Sequence, residues 1–354
     1  MVKNIFLFSV LILSFYSCEK DFLEDAVAQA DEVVVDVTVD IISLEDSTRD
    51  AIPFEHNGEL YYVEEDQQYG TYGDFEVYKF NPSTKTFTSI GIIDLNNAAT
   101  IRDVVSINGT LIVASQTELH ILAIAYDGWD ISRTFSLPNF RDVISLFTID
   151  DKFYVSDEYG YLYSGTTSTT SLGSGTYIGS VTSQIIKVSN LYYFAASNGI
   201  YRSSDGTNWS KVKSAPSYVY YSSIIHDGTN FIVSSISSSY VKVEKYTNSF
   251  SFVSDVSHTT MPSFNYSSYS YDLIGRSFII NGYYLGFISE FYNSYQSYFS
   301  EVVNVASDDI ATNSVRQIRT TLINDCVYPV KIGNTIYAFD ESSNWISALT
   351  IVGF

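Results

Sequence analysis

Residues 57–63 read Asn-Gly-Glu-Leu-Tyr-Tyr-Val, which is a turn dipeptide followed by a short run of large apolar side chains. Asn-Gly next to apolar runs is a strong signal for a β-hairpin, because the tight turn needs positive φ angles that Asn and Gly tolerate. A polar or glycine turn followed by a short apolar strand then recurs at intervals of about 40 to 60 residues, a period typical of repeat architectures. The recurrences are Asn108-Gly109, Asp150-Asp151, Ser189-Asn190, Asp227-Gly228, Gly275 and Gly333-Asn334.

A second hairpin follows within most of these units, and its turn leads into a large aromatic residue. These turns lie at 81–87, 127–129, 203–209, 246–250 and 340–345. All three tryptophans, Trp129, Trp209 and Trp345, are predicted to occupy the same position of the repeat. Two hairpins supply four strands, which is the blade of a β-propeller. The sequence therefore predicts an all-β propeller of about seven four-stranded blades over residues 33–354.

The two chain ends are predicted to share the last blade. Residues 326–331, 335–339 and 344–352 read as three strands, which is one fewer than a blade requires. The segment Val33–Ile42 is rich in Val and Ile and reads as a fourth strand. Pairing it with the carboxyl end would close the ring and remove an unpaired sheet edge.

One hairpin resembles a known motif. Ser203-Ser204-Asp205-Gly206-Thr207-Asn208-Trp209 resembles the Asp-box of sialidase-like propellers, as Asp340 to Trp345 does more loosely, and the hairpin at 81–87 is similar to kelch-like repeats. In an Asp-box the carboxylate accepts backbone N–H bonds across the turn and the Trp packs beneath it. The resemblance implies structural and not catalytic roles for Ser203, Asp205, Gly206, Trp209, Asp340 and Trp345.

The amino terminus predicts an address outside the cytoplasm. Lys3 precedes an apolar run at 5–15 that is too short to span a bilayer and is typical of a signal peptide. The run ends at Ser17-Cys18, which resembles a lipobox, and the following Glu19-Lys20-Asp21 resembles the acidic stretch of Bacteroidota surface lipoproteins. The resemblance implies a signal peptide at 1–17, lipidation of Cys18, an acidic tether at 18–32, and anchoring in the outer membrane facing the cell exterior.

Charge and motif content narrow the classes of function. Asp and Glu outnumber Lys and Arg 40 to 19, for a net charge of −21, so a nucleic-acid partner is not expected. The four histidines, at 56, 120, 226 and 258, lack metal-ligand spacing, so neither a metal nor a cofactor is expected. No Gly-x-Ser-x-Gly nucleophile motif is present in the sequence.

Two arginines keep an enzymatic alternative open. The segment Arg102-Asp103-Val104-Val105-Ser106 recurs as Arg141-Asp142-Val143-Ile144-Ser145, immediately before a predicted inner strand. The arginines would either face the central channel, as in the arginine clamp of sialidases, or form structural salt bridges. A carboxylate pair for glycan hydrolysis stays open as well, because its spacing is invisible in a sequence.

The feature that favours binding is aromatic density. Residues 264–299 hold thirteen Tyr or Phe in 36 positions. Such rings suit stacking on sugars or anchoring a protein, or they fill contacts between blades. The candidate binding residues are Tyr266, Tyr269, Tyr271, Tyr283, Tyr284, Tyr292, Tyr295 and Tyr298. The sequence thus predicts a non-catalytic lipoprotein that binds glycan or an envelope protein. The alternative is a propeller-fold sialidase-like hydrolase or lyase.

Overall fold

A computed structural model describes eleven stretches of the chain. They are residues 37–43, 51–65, 74–95, 100–124, 128–179, 181–237, 241–258, 272–292, 295–304, 326–340 and 345–351. Within these stretches the regular structure is β-strand apart from one short 3-10 turn, Pro138–Phe140. No helix in this part of the chain has the length and apolar character needed to cross a bilayer.

The described strands divide into successive antiparallel groups, which we call blades. Blade 1 contains β2 (Ile52–His56), β3 (Glu59–Glu65), β4 (Asp74–Asn81) and β5 (Thr86–Asp94). Blade 2 contains β6 (Ile101–Ile107), β7 (Thr110–Ser115), β8 (Glu118–Ile124) and β9 (Gly128–Ser136). Blade 3 contains β10 (Val143–Ile149), β11 (Lys152–Asp157), β12 (Tyr161–Thr166) and β13 (Thr176–Tyr177).

The second half of the chain continues the pattern. Blade 4 contains β14 (Val181–Ser183), β15 (Ile186–Val188), β16 (Leu191–Ala196), β17 (Gly199–Ser203) and β18 (Ser210–Ser214). Blade 5 contains β19 (Tyr220–His226), β20 (Phe231–Ile236), β21 (Val241–Tyr246) and β22 (Phe252–His258). The described strands of blade 6 are β23 (Asp272–Ile280), β24 (Tyr283–Tyr292) and β25 (Tyr295–Asn304).

The closing blade joins the two ends of the chain. It contains β26 (Cys326–Ile332), β27 (Thr335–Asp340), β28 (Trp345–Ile351) and, as its outer strand, β1 (Val37–Ser43). Strand β1 runs antiparallel to β28, in register from Val37 opposite Ile351 to Ser43 opposite Trp345. The predicted propeller and its closure by an amino-terminal strand are confirmed, with the described strand covering 37–43 where the sequence pattern predicted 33–42.

The apolar core lies between blades. One cluster joins blades 1 and 2, and similar clusters join blades 2 and 3, 3 and 4, 4 and 5, and 5 and 6. A further cluster packs Leu60 and Tyr62 of blade 1 against Val330, Ile346 and Ala348 of the closing blade. These clusters bury both faces of blades 1 to 5, and strands such as β7 and β20 are therefore buried along almost their whole length.

The ring has two distinct faces. We call the hairpin face the one where the first and second strands of each blade are joined, and the crossover face the one where the chain passes to the next blade. The hairpin-face turns use left-handed backbone, as at Asn57 (φ 54°) and Gly58 (φ 80°) or Asn108 (φ 50°) and Gly109 (φ 83°). Here the turn residues fix where each inner strand ends.

Two details of the repeat differ from the sequence-based prediction. Gly275 lies inside β23, and the hairpin turn of blade 6 is Asn281-Gly282, with φ angles of 52° and 82°. This Asn-Gly pair carries the same signal as residues 57 and 58. The prediction was wrong because the aromatic runs on both sides of residue 275 look alike.

The tryptophans also do not share one position. Trp129 begins the outer strand of blade 2 and Trp209 precedes the outer strand of blade 4, whereas Trp345 begins β28, the third strand of the closing blade. The outer strand of that blade is β1. The last hairpin of the chain therefore joins the second and third strands of its blade, whereas the hairpins before Trp129 and Trp209 join the third and fourth. Only about 12 residues separate Gly333 from Trp345, against about 20 in the other units with tryptophan.

Candidate binding site in the central channel

The inner strands converge on a cavity of about 380 Å³ at the centre of the ring. Its lining comes from the inner strands of blades 1, 2, 3 and 6, from the closing blade, and from residues 184–185 of blade 4. The lining residues are Pro53, Phe54, Glu55, Gly58, Val104, Val105, Ser106, Leu146, Phe147, Thr148, Gln184, Ile185, Arg276, Phe278, Pro329, Val330, Lys331, Ile332 and Gly333. Most of these residues lie in the second half of an inner strand or in the turn after it. The cavity is therefore nearer to the hairpin face than to the crossover face. Its volume is in the range of small-molecule sites.

A buried ion pair between Arg276 and Asp103 lies beside this cavity, and Arg276 is one of the residues that line it. The Arg276 Nη2 donates to Asp103 Oδ2 at 3.2 Å, and the backbone N–H of Leu146 donates to the same oxygen at 2.8 Å. The other carboxylate oxygen accepts from the Val104 N–H at 2.9 Å. Burial raises the pKa of the Asp103 carboxyl, while the Arg276 charge and the two N–H donors act against that rise. The pair links the inner strands of blades 2, 3 and 6 across the channel.

The Gln184 side chain makes a second link across the centre. Its Nε2 donates to the Ser277 carbonyl at 2.7 Å, and its Oε1 accepts from the Ser277 N–H at 3.3 Å. Nearby, β14 pairs in parallel with β23, from Val181 opposite Leu273 to Ser183 opposite Gly275. Blade 4 thus reaches across the ring to blade 6, which fixes the shape of the cavity.

A histidine and a serine meet at the cavity wall, and their geometry bears on catalysis. The His56 Nδ1 lies 2.8 Å from the Ser106 Oγ, and the Asn57 Nδ2 lies 3.0 Å from the His56 Nε2. Burial lowers the pKa of His56, so the ring is neutral near pH 7. The histidine and the serine are thus within hydrogen-bond reach of each other, and the tautomer of the ring sets which of them donates.

The charged groups at the cavity are already engaged by the protein. The Glu55 carboxylate accepts the Gly58 N–H at 2.5 Å, and the Lys331 Nζ donates to the Ile279 carbonyl at 3.2 Å. The cavity wall is therefore about equally polar and apolar, with Ser106, Thr148 and Gln184 as neutral polar groups beside these charged ones. Such an arrangement suits binding of a small ligand or of a protruding side chain.

The structure places the two repeated arginines outside this cavity. Arg102 is exposed, and its neighbour Asp103 pairs with Arg276. Arg141 forms a salt bridge at 3.0 Å with Asp157, whose side chain is buried, and not with the adjacent Asp142. Of the two repeated arginines, Arg141 thus forms a structural ion pair and Arg102 is on the surface, and neither lines the described cavity.

The turn at 203–209 is held by its own side chains. Asp205 Oδ1 accepts the N–H groups of Thr207 and Asn208, both at 2.8 Å, and Ser203 Oγ accepts the Gly206 N–H at 2.9 Å. These bonds hold the pKa of the Asp205 carboxyl well below its usual range. Trp209 packs edge-on against Phe194 at 4.6 Å between ring centroids. The described side chains do not include those of Asp340 and Trp345.

The predicted binding tyrosines do not converge on one described surface. Tyr266, Tyr269 and Tyr271 lie outside the described residues, and so does Cys18. Tyr292, Tyr295 and Tyr298 lie in β24 and β25, whose side chains at these positions are not described. Tyr284 is fully buried, and its hydroxyl lies 2.7 Å from the Ser223 Oγ of blade 5. It therefore fills a contact between blades, while Tyr283 is half-buried.

A different group of aromatic residues is exposed on the crossover face of blade 3. Phe140, Tyr159 and Tyr177 are 74%, 60% and 59% exposed. The Arg141 guanidinium lies over the rings of Tyr159 and Tyr161, at 5.0 and 4.5 Å from their centroids. Sequence reasoning missed this group because its members come from three separate segments, namely the 3-10 turn at 138–140, the turn before β12, and β13. The adjacent Tyr-Gly-Tyr at 159–161 was the available signal.

Comparison with known proteins identifies the fold. No protein family and no curated protein matches this chain. A catalytically inactive virginiamycin B lyase from Staphylococcus aureus, solved with quinupristin, superposes with a TM-score of 0.56 at 13% identity, covering 90% of this chain and all of the lyase chain. The fold is a β-propeller.

Two further solved propellers give similar agreement. BamB from Moraxella catarrhalis matches with a TM-score of 0.52 at 10% identity, over 85% of this chain and 83% of that chain. The amino-terminal domain of Nup159 matches with a TM-score of 0.53 at 11% identity, over 90% and 96%. At these identities the comparisons establish architecture alone, because propellers carry many unrelated functions.

Proposed function

We propose that this propeller is a surface-anchored lipoprotein that binds a glycan or a protein without converting it chemically. The observation that supports binding is the preformed central cavity, whose walls come from six blades and which lies beside the Asp103–Arg276 pair. A cavity held by cross-strand bonds needs little ordering when a ligand enters, and this lowers the cost of binding.

The polar groups at the cavity favour binding over catalysis. Asp103 and Glu55 each accept bonds from the protein's own N–H groups, and the His56 ring is hydrogen-bonded to Ser106. A hydrolase or lyase would require a carboxylate or a histidine poised to accept a proton from substrate. The enzymatic alternative predicts that purified protein releases a new product from a bound ligand, which mass spectrometry of the ligand would reveal.

The proposed anchor is the diacylated Cys18. A single acyl chain binds membranes marginally, whereas two chains hold a protein durably. Expression of the full chain with a radiolabelled fatty acid should label it, and Cys18→Ser should abolish both labelling and recovery in the outer-membrane fraction. Protease added to intact cells should degrade the protein if it faces outward. An unlabelled wild-type protein would contradict the anchor.

The binding role is tested with a chain that starts at residue 33. It is applied to a glycan array and used in a pull-down from envelope extract. Thr148→Trp places a bulky ring in the cavity, and Thr88→Trp makes the same change at an exposed position of β5. We expect a ligand in one of the assays and a loss of affinity of about tenfold or more for Thr148→Trp alone. Silence in both assays would contradict the proposal.

A further inference from the structure

The exposed aromatic group on blade 3 is positioned by hydrogen bonds to one buried carboxylate. Its hub is the buried carboxylate of Asp157, which accepts four bonds. Its donors are the N–H groups of Tyr159 and Tyr161, the Tyr163 hydroxyl and the Arg141 guanidinium, at 2.8 to 3.0 Å. A carboxylate with this many donors fixes the turn that carries the exposed rings.

The rings are further fixed by a close approach of two backbone segments. Gly160 lies between Tyr159 and Tyr161 with φ 76°, and a Cβ there would lie 2.6 Å from the Gly179 backbone. The N–H groups of Ile178 and Gly179 both donate to the Gly160 carbonyl, at 2.8 and 3.2 Å. Tyr177 is thereby held beside Tyr161, with 5.4 Å between ring centroids. These contacts bring Tyr159, Tyr161 and Tyr177 together, and we call the three rings the platform; the planes of Tyr161 and Tyr177 cross at 64°.

Phe140 is presented to solvent by an unusual backbone. Asn139 and Phe140 are consecutive non-glycine residues with φ angles of 62° and 53°. Left-handed backbone is uncommon for a bulky residue, and in the described chain Tyr218 (φ 62°) and Phe250 (φ 60°) adopt it as well. The Phe140 segment is tied to the platform, since Glu158 N–H donates to the Asp142 carbonyl at 3.0 Å and Asp142 N–H donates to the Glu158 carboxylate at 3.3 Å.

We infer that this platform binds a neutral saccharide. The inference goes beyond the proposed function, which assigns its ligand to the central cavity, and gives this separate surface a ligand class of its own. The C–H face of a sugar ring stacks on tyrosine and phenylalanine, and its hydroxyls donate to carboxylate oxygens. Asp142 and Glu158 each carry a second carboxylate oxygen for this, since Asp142 Oδ2 accepts from Gln116 Nε2 and Glu158 Oε1 from the Asp142 N–H. The positive charge of Arg141 is balanced by Asp157, and the chain carries a net charge of −21, so an anionic glycan is disfavoured.

The size of the platform favours a saccharide over a protein. A stable protein interface buries about 800 Å² on each partner, from about 20 to 30 residues. The exposed aromatic group here consists of three side chains, those of Phe140, Tyr159 and Tyr177, which matches a few sugar rings. A protein partner is the competing outcome of the test.

The test uses native gel electrophoresis of the chain in gels that contain starch, xylan, mannan or a mixed-linkage β-glucan. We expect at least one of these polysaccharides to retard the wild-type protein. The double variant Tyr159→Ala/Tyr177→Ala should lose about tenfold or more of the affinity. Tyr218→Ala is the matched control, because Tyr218 is 85% exposed in the crossover segment between blades 4 and 5. Both variants remove solvent-exposed rings, and thermal melting verifies that they fold.

A second measurement reports on the site directly. The retarding polysaccharide should protect Tyr159 and Tyr177 from nitration by tetranitromethane and leave Tyr218 reactive. Equal retardation of wild type and the double variant would overturn the platform but leave the binding function standing, with Thr148→Trp then locating it in the cavity. No retardation by any of the four polysaccharides would overturn the saccharide inference. The pull-down result would then decide the broader proposal.

Discussion

The Asp103 carboxylate and the Arg276 guanidinium lie 3.2 Å apart across the central channel, although 173 residues separate them in the chain. Asp103 is on the inner strand of blade 2 and Arg276 on the inner strand of blade 6. The Arg276 side chain also lies over the Phe147 ring of blade 3, at 5.8 Å from its centroid. One ion pair thus ties together blades that are distant in sequence and are not neighbours around the ring.

Removal of this carboxylate should destabilise the whole ring. Asp103→Ala leaves the Arg276 charge without its buried counterion and the Leu146 N–H without its acceptor, and breaking a buried pair in this way costs about 3–5 kcal/mol. Urea unfolding followed by tryptophan fluorescence measures the change. Arg102→Ala, at the exposed adjacent position, is the control and should change stability little. A loss below about 1 kcal/mol for Asp103→Ala would argue against the bridge.

Truncation should show that the amino-terminal strand closes the ring. A chain that starts at residue 51 lacks β1 and leaves the β28 edge unpaired, whereas a chain that starts at residue 33 retains it. Losing the ladder of a seven-residue strand should cost several kcal/mol, since each backbone hydrogen bond contributes roughly 1 kcal/mol net and the freed segment regains part of that as chain entropy. The exposed edge should also promote aggregation, which light scattering measures. Equal melting temperatures and equal solubility would contradict the closure.

A buried histidine should make stability depend on pH. His120 is buried in blade 2, where its ring contacts Thr134 and Ser115, and burial lowers its pKa from 6.5. The unfolded chain therefore binds a proton that the folded chain resists, and stability falls as pH drops through about 6.5. For a single proton the slope is at most about 1.4 kcal/mol per pH unit.

The His120 contribution is isolated by comparison with His120→Gln. Thermal melts of both proteins between pH 5 and pH 8 should converge toward the acid end, because the variant lacks the titrating group. His56, whose pKa is also lowered by burial, is present in both proteins and cancels in the difference. Parallel curves for the two proteins would remove His120 as a source of the pH dependence.

Tyr284 should prove to be a core residue. Tyr284→Phe removes the hydroxyl that contacts Ser223 and leaves a buried oxygen without this partner, at a cost of about 1–3 kcal/mol. Ligand binding, measured under conditions in which the variant is fully folded, should be unchanged. Tyr218→Phe, at an exposed position, should alter neither property. Chemical denaturation and the gel assay give the two readouts, and a Tyr284→Phe protein that is stable but fails to bind would restore Tyr284 as a ligand contact.

The repeat was readable from sequence because its signals are local. Asn57-Gly58 and Asn108-Gly109 predict turns because Asn and Gly tolerate the positive φ angles that a tight turn needs. The structure has positive φ at all four residues. The error at Gly275 has the same local origin, since a lone glycine in an aromatic strand resembles a turn until the strand is paired. Trp345 was placed in the wrong position of the repeat because the outer strand of its blade is β1, which comes from the amino-terminal end of the chain.

The candidate sites could not be read in the same way. The cavity needs the inner strands of several blades, and no sequence spacing reports which side chains of Ser106, Thr148 and Lys331 meet at the centre. The Arg141-Asp142 sequence suggested a structural salt bridge as one alternative. Arg141 does form one, but its partner is Asp157 in β11 and not the adjacent Asp142. Exposure of Phe140 and Tyr159, and burial of Tyr284, depended on packing that aromatic content does not encode.

The sequence by itself determined the β-class, the radial repeat and the use of both chain ends in one blade, since turn chemistry and alternating apolar runs act over a few residues. The tertiary structure alone decided which charges neutralise one another, which tyrosines are buried and where a cavity is left. Those outcomes depend on contacts between blades, such as the one that joins Asp103 to Arg276, and a linear pattern does not record distances between residues far apart in the chain.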